Sequence, residues 1–243
     1  MTKESSSRWQ GCTLPASLPY RRAGWADAFG VPWVAAVAIA LLLAIAPTWA
    51  TDWVIVPGKR VGPIDAGASE AKLVELFGAA NVERVSFEVE PGEAVPATTV
   101  FANDSTRRAV VLWRDPQART APETVLIRGE RSLWRTDKGI TLGTPLATLR
   151  RLNGKPLTLT GFGSDLGGTV LDCNGGSLVE FGQDGPRGIV GRTLVVRVEP
   201  DPARRDTAAY QQTIGESELS SDSDAMRTLN PRAYELMVEI RPR

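Results

Sequence analysis

The chain has 243 residues, with 28 basic and 28 acidic side chains and no histidine. That length suffices for one large or two small domains, and the balanced, scattered charge excludes the clustered basic surface of a nucleic-acid-binding protein. The missing histidine removes Ser-His-Asp triads, Cys-His pairs and ordinary zinc sites together.

The first element is a targeting segment. No charged residue occurs from Ala28 to Thr51, and Val34–Ala46 is almost purely aliphatic. Arg21 and Arg22 precede this run, and small side chains close it at Ala50. This is the pattern of a secretory signal, so cleavage after Ala50 and an extracytoplasmic (periplasmic or secreted) mature chain are expected. The run is also long enough to span a bilayer. Retention as an inner-membrane anchor is therefore the alternative, with membrane contact only through residues 28–51. Of the two cysteines, Cys12 precedes the apolar run, which leaves Cys173 as the single thiol of the mature part. It is expected to be buried and quiet.

Beyond the leader, Trp53–Val56 reads as a short strand stopped by Pro57-Gly58. Ser69 is a good N-cap for a helix carrying Leu73, Leu76 and Phe77, with Gly78 past its last turn. Strands are expected over Val82–Val89, Thr98–Asn103, Ala109–Arg114 and Glu123–Arg128. A second helix follows, with Thr144 as its cap, Leu146, Leu149 and Leu152 as its apolar stripe and Gly154 at its end. After it come strands over Leu157–Gly161, Thr169–Cys173, Ser177–Phe181 and Thr193–Glu199. Pro200–Ser223 reads as a polar loop with some helix, and Tyr234–Ile240 as a returning strand.

The two helices belong to a repeat. Gly62–Ala80 and Lys138–Pro156 align without a gap and match at Ile64/Ile140, Gly67/Gly143, Ala71/Ala147, Leu73/Leu149, Leu76/Leu152 and Gly78/Gly154. A self-match at fixed offset marks a duplicated supersecondary unit. The expected fold is α+β, two tandem helix-plus-antiparallel-sheet units. The first unit would span residues 51–136. The second would span 137–243, with a C-terminal loop and strand, and residues 1–50 would form the leader.

The motif I-x-x-G-x-[ST]-x-x-x-L-x-x-x-x-G, carried by Ile64–Gly78 and, with its hydroxyl residue one position earlier at Thr144, by Ile140–Gly154, resembles the repeat of the beta-lactamase-inhibitor-like and outer-membrane-assembly lipoprotein (SmpA/OmlA-like) folds. The resemblance covers two short blocks, about forty residues in all. It implies a secreted binding protein built from helix-then-sheet units. It carries over no catalytic or inhibitory residue, and the lipoprotein cysteine is absent here.

Several clusters invite a chemical reading. The glycines of Gly161–Gly168 precede a strand-like segment rather than a helix, so tight turns explain them better than a phosphate loop. Asp165, Asp172, Glu180 and Asp184 crowd one region and suggest the alternative of a carboxylate-dependent envelope hydrolase. The pair Arg107–Arg108 reads as a solvated surface. In Ala109–Arg114 both alternating faces are apolar, Val110 and Leu112 on one and Val111 and Trp113 on the other. A sheet with one wet face should alternate apolar and polar residues. An apolar face around Phe101, Trp113 and Trp134 is therefore expected to contact a protein partner of the envelope. The resulting expectation is a non-enzymatic binding protein with no catalytic, cofactor or metal-ligating residue and no nucleic-acid partner.

Overall fold

A computed structural model describes residues 52–90, 92–178 and 193–242, all within one compact unit, Ala50–Arg243. The apolar leader, Cys12, Glu180, Asp184 and most of the strand expected over Ser177–Phe181 lie outside the described residues.

The strands in chain order are β1 (Val54–Val56), β2 (Arg60–Val61), β3 (Ile64–Asp65), β4 (Val82–Glu90), β5 (Glu93–Val100), β6 (Ala109–Asp115), β7 (Thr120–Arg128), β8 (Arg135–Thr136), β9 (Thr158–Thr160), β10 (Val170–Asp172), β11 (Leu194–Glu199), β12 (Glu218–Ser220) and β13 (Arg232–Glu239). The α-helices are α1 (Glu70–Phe77), α2 (Leu146–Asn153), α3 (Ala208–Gln211) and α4 (Asp224–Leu229). The main sheet is antiparallel throughout, in the order β11-β13-β7-β6-β5-β4. Two small sheets, β3-β2-β1-β8 and β10-β9-β12, complete the fold.

This corrects the α+β expectation of two tandem helix-plus-sheet units. Among the described residues 41% are strand and 18% helix, with thirteen strands in three sheets against four α-helices. Local pattern marks where a helix forms, but it does not say which strands will pair. Here β7 from the first half pairs with β13 at the chain's end, from Arg128↔Glu235 to Thr124↔Glu239. Strands from both halves thus share one sheet.

Each repeat copy contains one eight-residue helix, joined to the sheet by the same backbone pattern. The Glu70 N–H donates to the Arg119 carbonyl (2.9 Å), and the Ala121 N–H to that of Ala68 (3.1 Å). At the equivalent positions the Leu146 N–H donates to the Pro231 carbonyl (2.8 Å), and the Ala233 N–H to that of Thr144 (2.9 Å). Because β7 and β13 are antiparallel neighbours, the two joints stand at opposite ends of the central strand pair.

The caps differ between copies. Ser69 caps α1, its hydroxyl accepting the Lys72 N–H at 3.2 Å. Thr144 does not cap α2. Its hydroxyl is turned back on Thr141, donating to the carbonyl at 2.7 Å and accepting the N–H at 3.0 Å, and Pro145 is the boundary residue. A threonine hydroxyl held in its own turn is aimed away from the free N–H groups of the helix. Gly154 takes the left-handed conformation (φ 73°, ψ −4°) past α2.

Helices this short are marginal alone, so packing holds them. Leu73 and Leu149 are buried at equivalent positions in one core cluster with Val111, Val125, Ile127, Leu236 and Val238. A polar network adds to this at the start of α1. Glu70 accepts from Arg84 Nε (2.7 Å) and from the Thr98 hydroxyl (3.1 Å), and it pairs with Arg119 at 3.2 Å. Thr98 in turn accepts from Trp113 Nε1 at 3.0 Å. Burial pushes the Glu70 carboxyl up, but the hydrogen bonds from Arg84 and Thr98 and the two arginine charges outweigh it. The carboxyl is held below its ordinary value of 4.5. A depressed folded-state value stabilises the fold above the unfolded value, and that contribution is lost as pH falls through the folded value. The melting-temperature gap between wild type and Glu70→Gln is therefore expected to be widest near neutrality and to shrink once the pH drops below 4.5. A gap that stays constant from pH 7 to pH 3 would mean that the charge plays no part.

Candidate functional site

The three aromatic residues expected at a partner surface lie in the interior: Phe101, Trp113 and Trp134 are 6%, 3% and 0% exposed. Trp134 Nε1 donates to the Arg107 carbonyl at 2.8 Å, and the ring meets Trp53 edge-on, centroids 4.5 Å apart. Phe101 packs against Phe77 (5.1 Å) and Trp53 (5.9 Å). The helix layer covers Val111 and Trp113, so these rings are core, and a partner cannot reach them. Of the two apolar faces legible in Ala109–Arg114, the one left over is that of Val110 and Leu112, both half-buried.

On that opposite face the register sets up ordered rows. Thr99, Val110, Leu126, Met237 and Val195 stand side by side across β5, β6, β7, β13 and β11. Leu126 and Val195 are buried yet stand apart from the main core cluster. The neighbouring row is charged: Arg128 on β7, Glu235 on β13 and Arg197 on β11 are consecutive partners. Continuing the β6–β7 register by two residues beyond Val110↔Leu126 places Arg108 opposite Arg128. A cavity of about 520 Å³ opens here, lined by Phe87, Thr99, Val110 and Leu126 together with Arg108 and Arg128. Its volume falls in the range of roughly 300–1,000 Å³ usual for small-molecule sites.

The charges on this row do not balance. Glu235, only 1% exposed, receives Arg128 on one oxygen and Arg197 on the other, the latter at 3.2 Å. Arg197 is further held by the carbonyls of Asp165 and Gly167, and its guanidinium lies over the Tyr234 ring at 5.3 Å. Arg128 and Arg197 therefore share the Glu235 carboxylate, while Arg108, the most outlying of the row, is exposed. Like charges at opposed positions repel, so this end of the face favours an anion. Glu83, exposed on β4, pairs with Thr99 and closes the outer end of the apolar row.

The segment Phe101–Arg107 fixes where Arg108 starts. Phe101 sits at φ 54°, a conformation uncommon for a bulky residue. It is held by its buried ring, by its N–H to the Asn81 carbonyl (2.8 Å) and by the Arg107 guanidinium 4.5 Å above the ring. Asp104 closes the turn, accepting from the Thr106 hydroxyl (2.7 Å), the Thr106 N–H (2.9 Å) and Arg107 Nε (2.6 Å). The Thr106 hydroxyl first, and then Arg107, hold the Asp104 carboxyl down to about 2. The Arg108 N–H donates to the Asp104 carbonyl at 2.8 Å. Sequence reading missed Arg108, Arg128, Phe87 and Leu126. The signal that could have found the face was the double-sided apolar pattern of β6.

The remaining clusters have structural explanations. Asp165 and Asp172 are exposed, and Asp172 accepts the Asn174 N–H at 2.6 Å in a tight turn. No group of three or more His, Cys, Asp or Glu side chains suited to a metal occurs among the described residues. The glycine-rich loop packs backbone on backbone. Gly168 has φ 71°, and a Cβ there would lie 1.9 Å from the Val198 carbonyl oxygen. Cys173 is 2% exposed, its thiol donating to the Leu178 carbonyl at 3.0 Å. Among the described residues no helix is long and apolar enough to cross a membrane, and residues 28–51 fall outside them.

Comparison with protein-family models, curated proteins and solved structures finds no match for this chain.

Proposed function

We propose that this chain is an exported, non-enzymatic binding protein of the cell envelope, released by cleavage near Ala50 or held by residues 28–51, and that it takes its ligand on the sheet face opposite the helices. The observation that carries this reading is the pairing of an apolar row, Val110–Leu126–Met237–Val195, with a charged row in surplus of cation. Val110 and Met237 are the half-buried members of that row, and apolar surface rimmed by polar groups marks interaction sites. The lack of histidine throughout the chain and the exposure of Asp165 and Asp172 speak for binding over hydrolysis.

Methionine oxidation tests the location. Met237 lies half-buried on this face, while Met226 is 1% exposed in the core and serves as the internal control. Met237 of the exported protein is expected to oxidise more slowly in envelope extract than after purification, with Met226 unchanged. Equal rates for Met237 in both would remove this face as the binding surface.

A further inference from the structure

We infer that the ligand of this face is a medium-chain fatty carboxylate, with its chain along the apolar row and its carboxylate at Arg108 and Arg128. The inference rests on the binding-face reading above. The cavity joins an apolar floor (Phe87, Val110, Leu126) to two guanidinium groups beside it, and no carboxylate among the described residues lines it. Arg128 spends part of its donor set on Glu235, and its side chain is still 57% exposed. Arg108, opposite it in the continued register, is exposed. Guanidinium groups bind carboxylates through paired N–H donors, which gives a fixed geometry as well as attraction. Glu83, at the β4 end of the apolar row, disfavours an anion there.

The backbone decides between a lipid chain and a peptide. Beneath the cavity, β5, β6 and β7 are each paired on both sides, and their N–H and C=O groups are consumed by the sheet ladder. A peptide laid on this face would bury its own amides without partners, which is costly. An acyl chain has no such groups to satisfy and gains from every methylene taken out of water.

The test uses the exported protein, purified and titrated with sodium laurate by calorimetry, with Met237 oxidation as a second readout. Laurate is expected to bind and to protect Met237. Affinity should rise by up to about fourfold per methylene from octanoate to laurate. Arg108→Glu should weaken laurate by roughly tenfold or more, with an unchanged melting temperature because the side chain is exposed. Val110→Asp should abolish binding. Dodecanol should bind at least tenfold more weakly than laurate, and vesicles of anionic phospholipid should not protect Met237. The assignment is overturned if dodecanol equals laurate, if Arg108→Glu binds laurate as wild type does, or if vesicles or an apolar peptide protect Met237 and laurate does not. Protection of Met237 in envelope extract without any laurate binding would overturn this ligand and leave the binding face standing.

Discussion

Replacing Trp134 by alanine should cost about 3–5 kcal/mol of stability, the largest effect of any single truncation in this fold. The side chain is fully buried and among the largest that are. Its packing leaves no slack. A Cβ on Gly62 would lie 2.7 Å from the indole ring, and Trp53 meets the ring edge-on at 4.5 Å. The substitution also strips the half-buried Arg107 carbonyl of its indole donor, which adds to the loss. For a domain of this size each kcal/mol moves the melting temperature by about 2–4 °C. A fall of roughly 6–20 °C in a thermal melt is therefore expected. A shift within about 2 °C would mean that the aromatic cluster is not packed in this way. Leu166, 52% exposed, gives the control: its alanine variant should stay within about 0.5 kcal/mol of wild type.

Glu235→Gln should also be strongly destabilising. The carboxylate is 1% exposed and neutralises Arg197, whose side chain is 13% exposed, as well as Arg128, which is 57% exposed. Removing one partner of a buried ion pair typically costs about 3–5 kcal/mol, because the other charge stays behind uncompensated. Arg128 can turn to water, so the cost falls on Arg197 and should lie toward the lower end of that range. Arg197→Met in the same protein should recover part of the loss, since it removes the stranded charge. Urea unfolding of the two single variants and the double variant decides this. Strict additivity of the two single losses would mean that the groups do not interact.

Particular elements were legible in the chain because their causes are local. Ser69 caps α1 through its own hydroxyl, and Gly154 ends α2 because it tolerates positive φ without a Cβ clash. Leu73 and Leu149 declared themselves core by spacing alone. Ser223, three residues before Met226, caps α4 in the same local way. Thr144 was misread because two local bonds competed for one oxygen, and the turn at Thr141 won.

The class of the fold and the position of the site were decided elsewhere. Nothing near Thr120 or Arg232 records that β7 and β13 become neighbours, because strand pairing joins residues more than a hundred positions apart. That pairing merges the two halves into one sheet, turning an expected helix-plus-sheet tandem into a mostly β protein. It also aligns Arg108, Arg128, Glu235 and Arg197 in one row, four residues that are unremarkable as sequence. The double-sided apolar pattern of β6 established that one face of the sheet would be left over. Alternation gives two faces but not their orientation, and only the packing of α1 on Thr98 and Trp113 put the aromatic side into the core and left Val110 and Leu112 on the other.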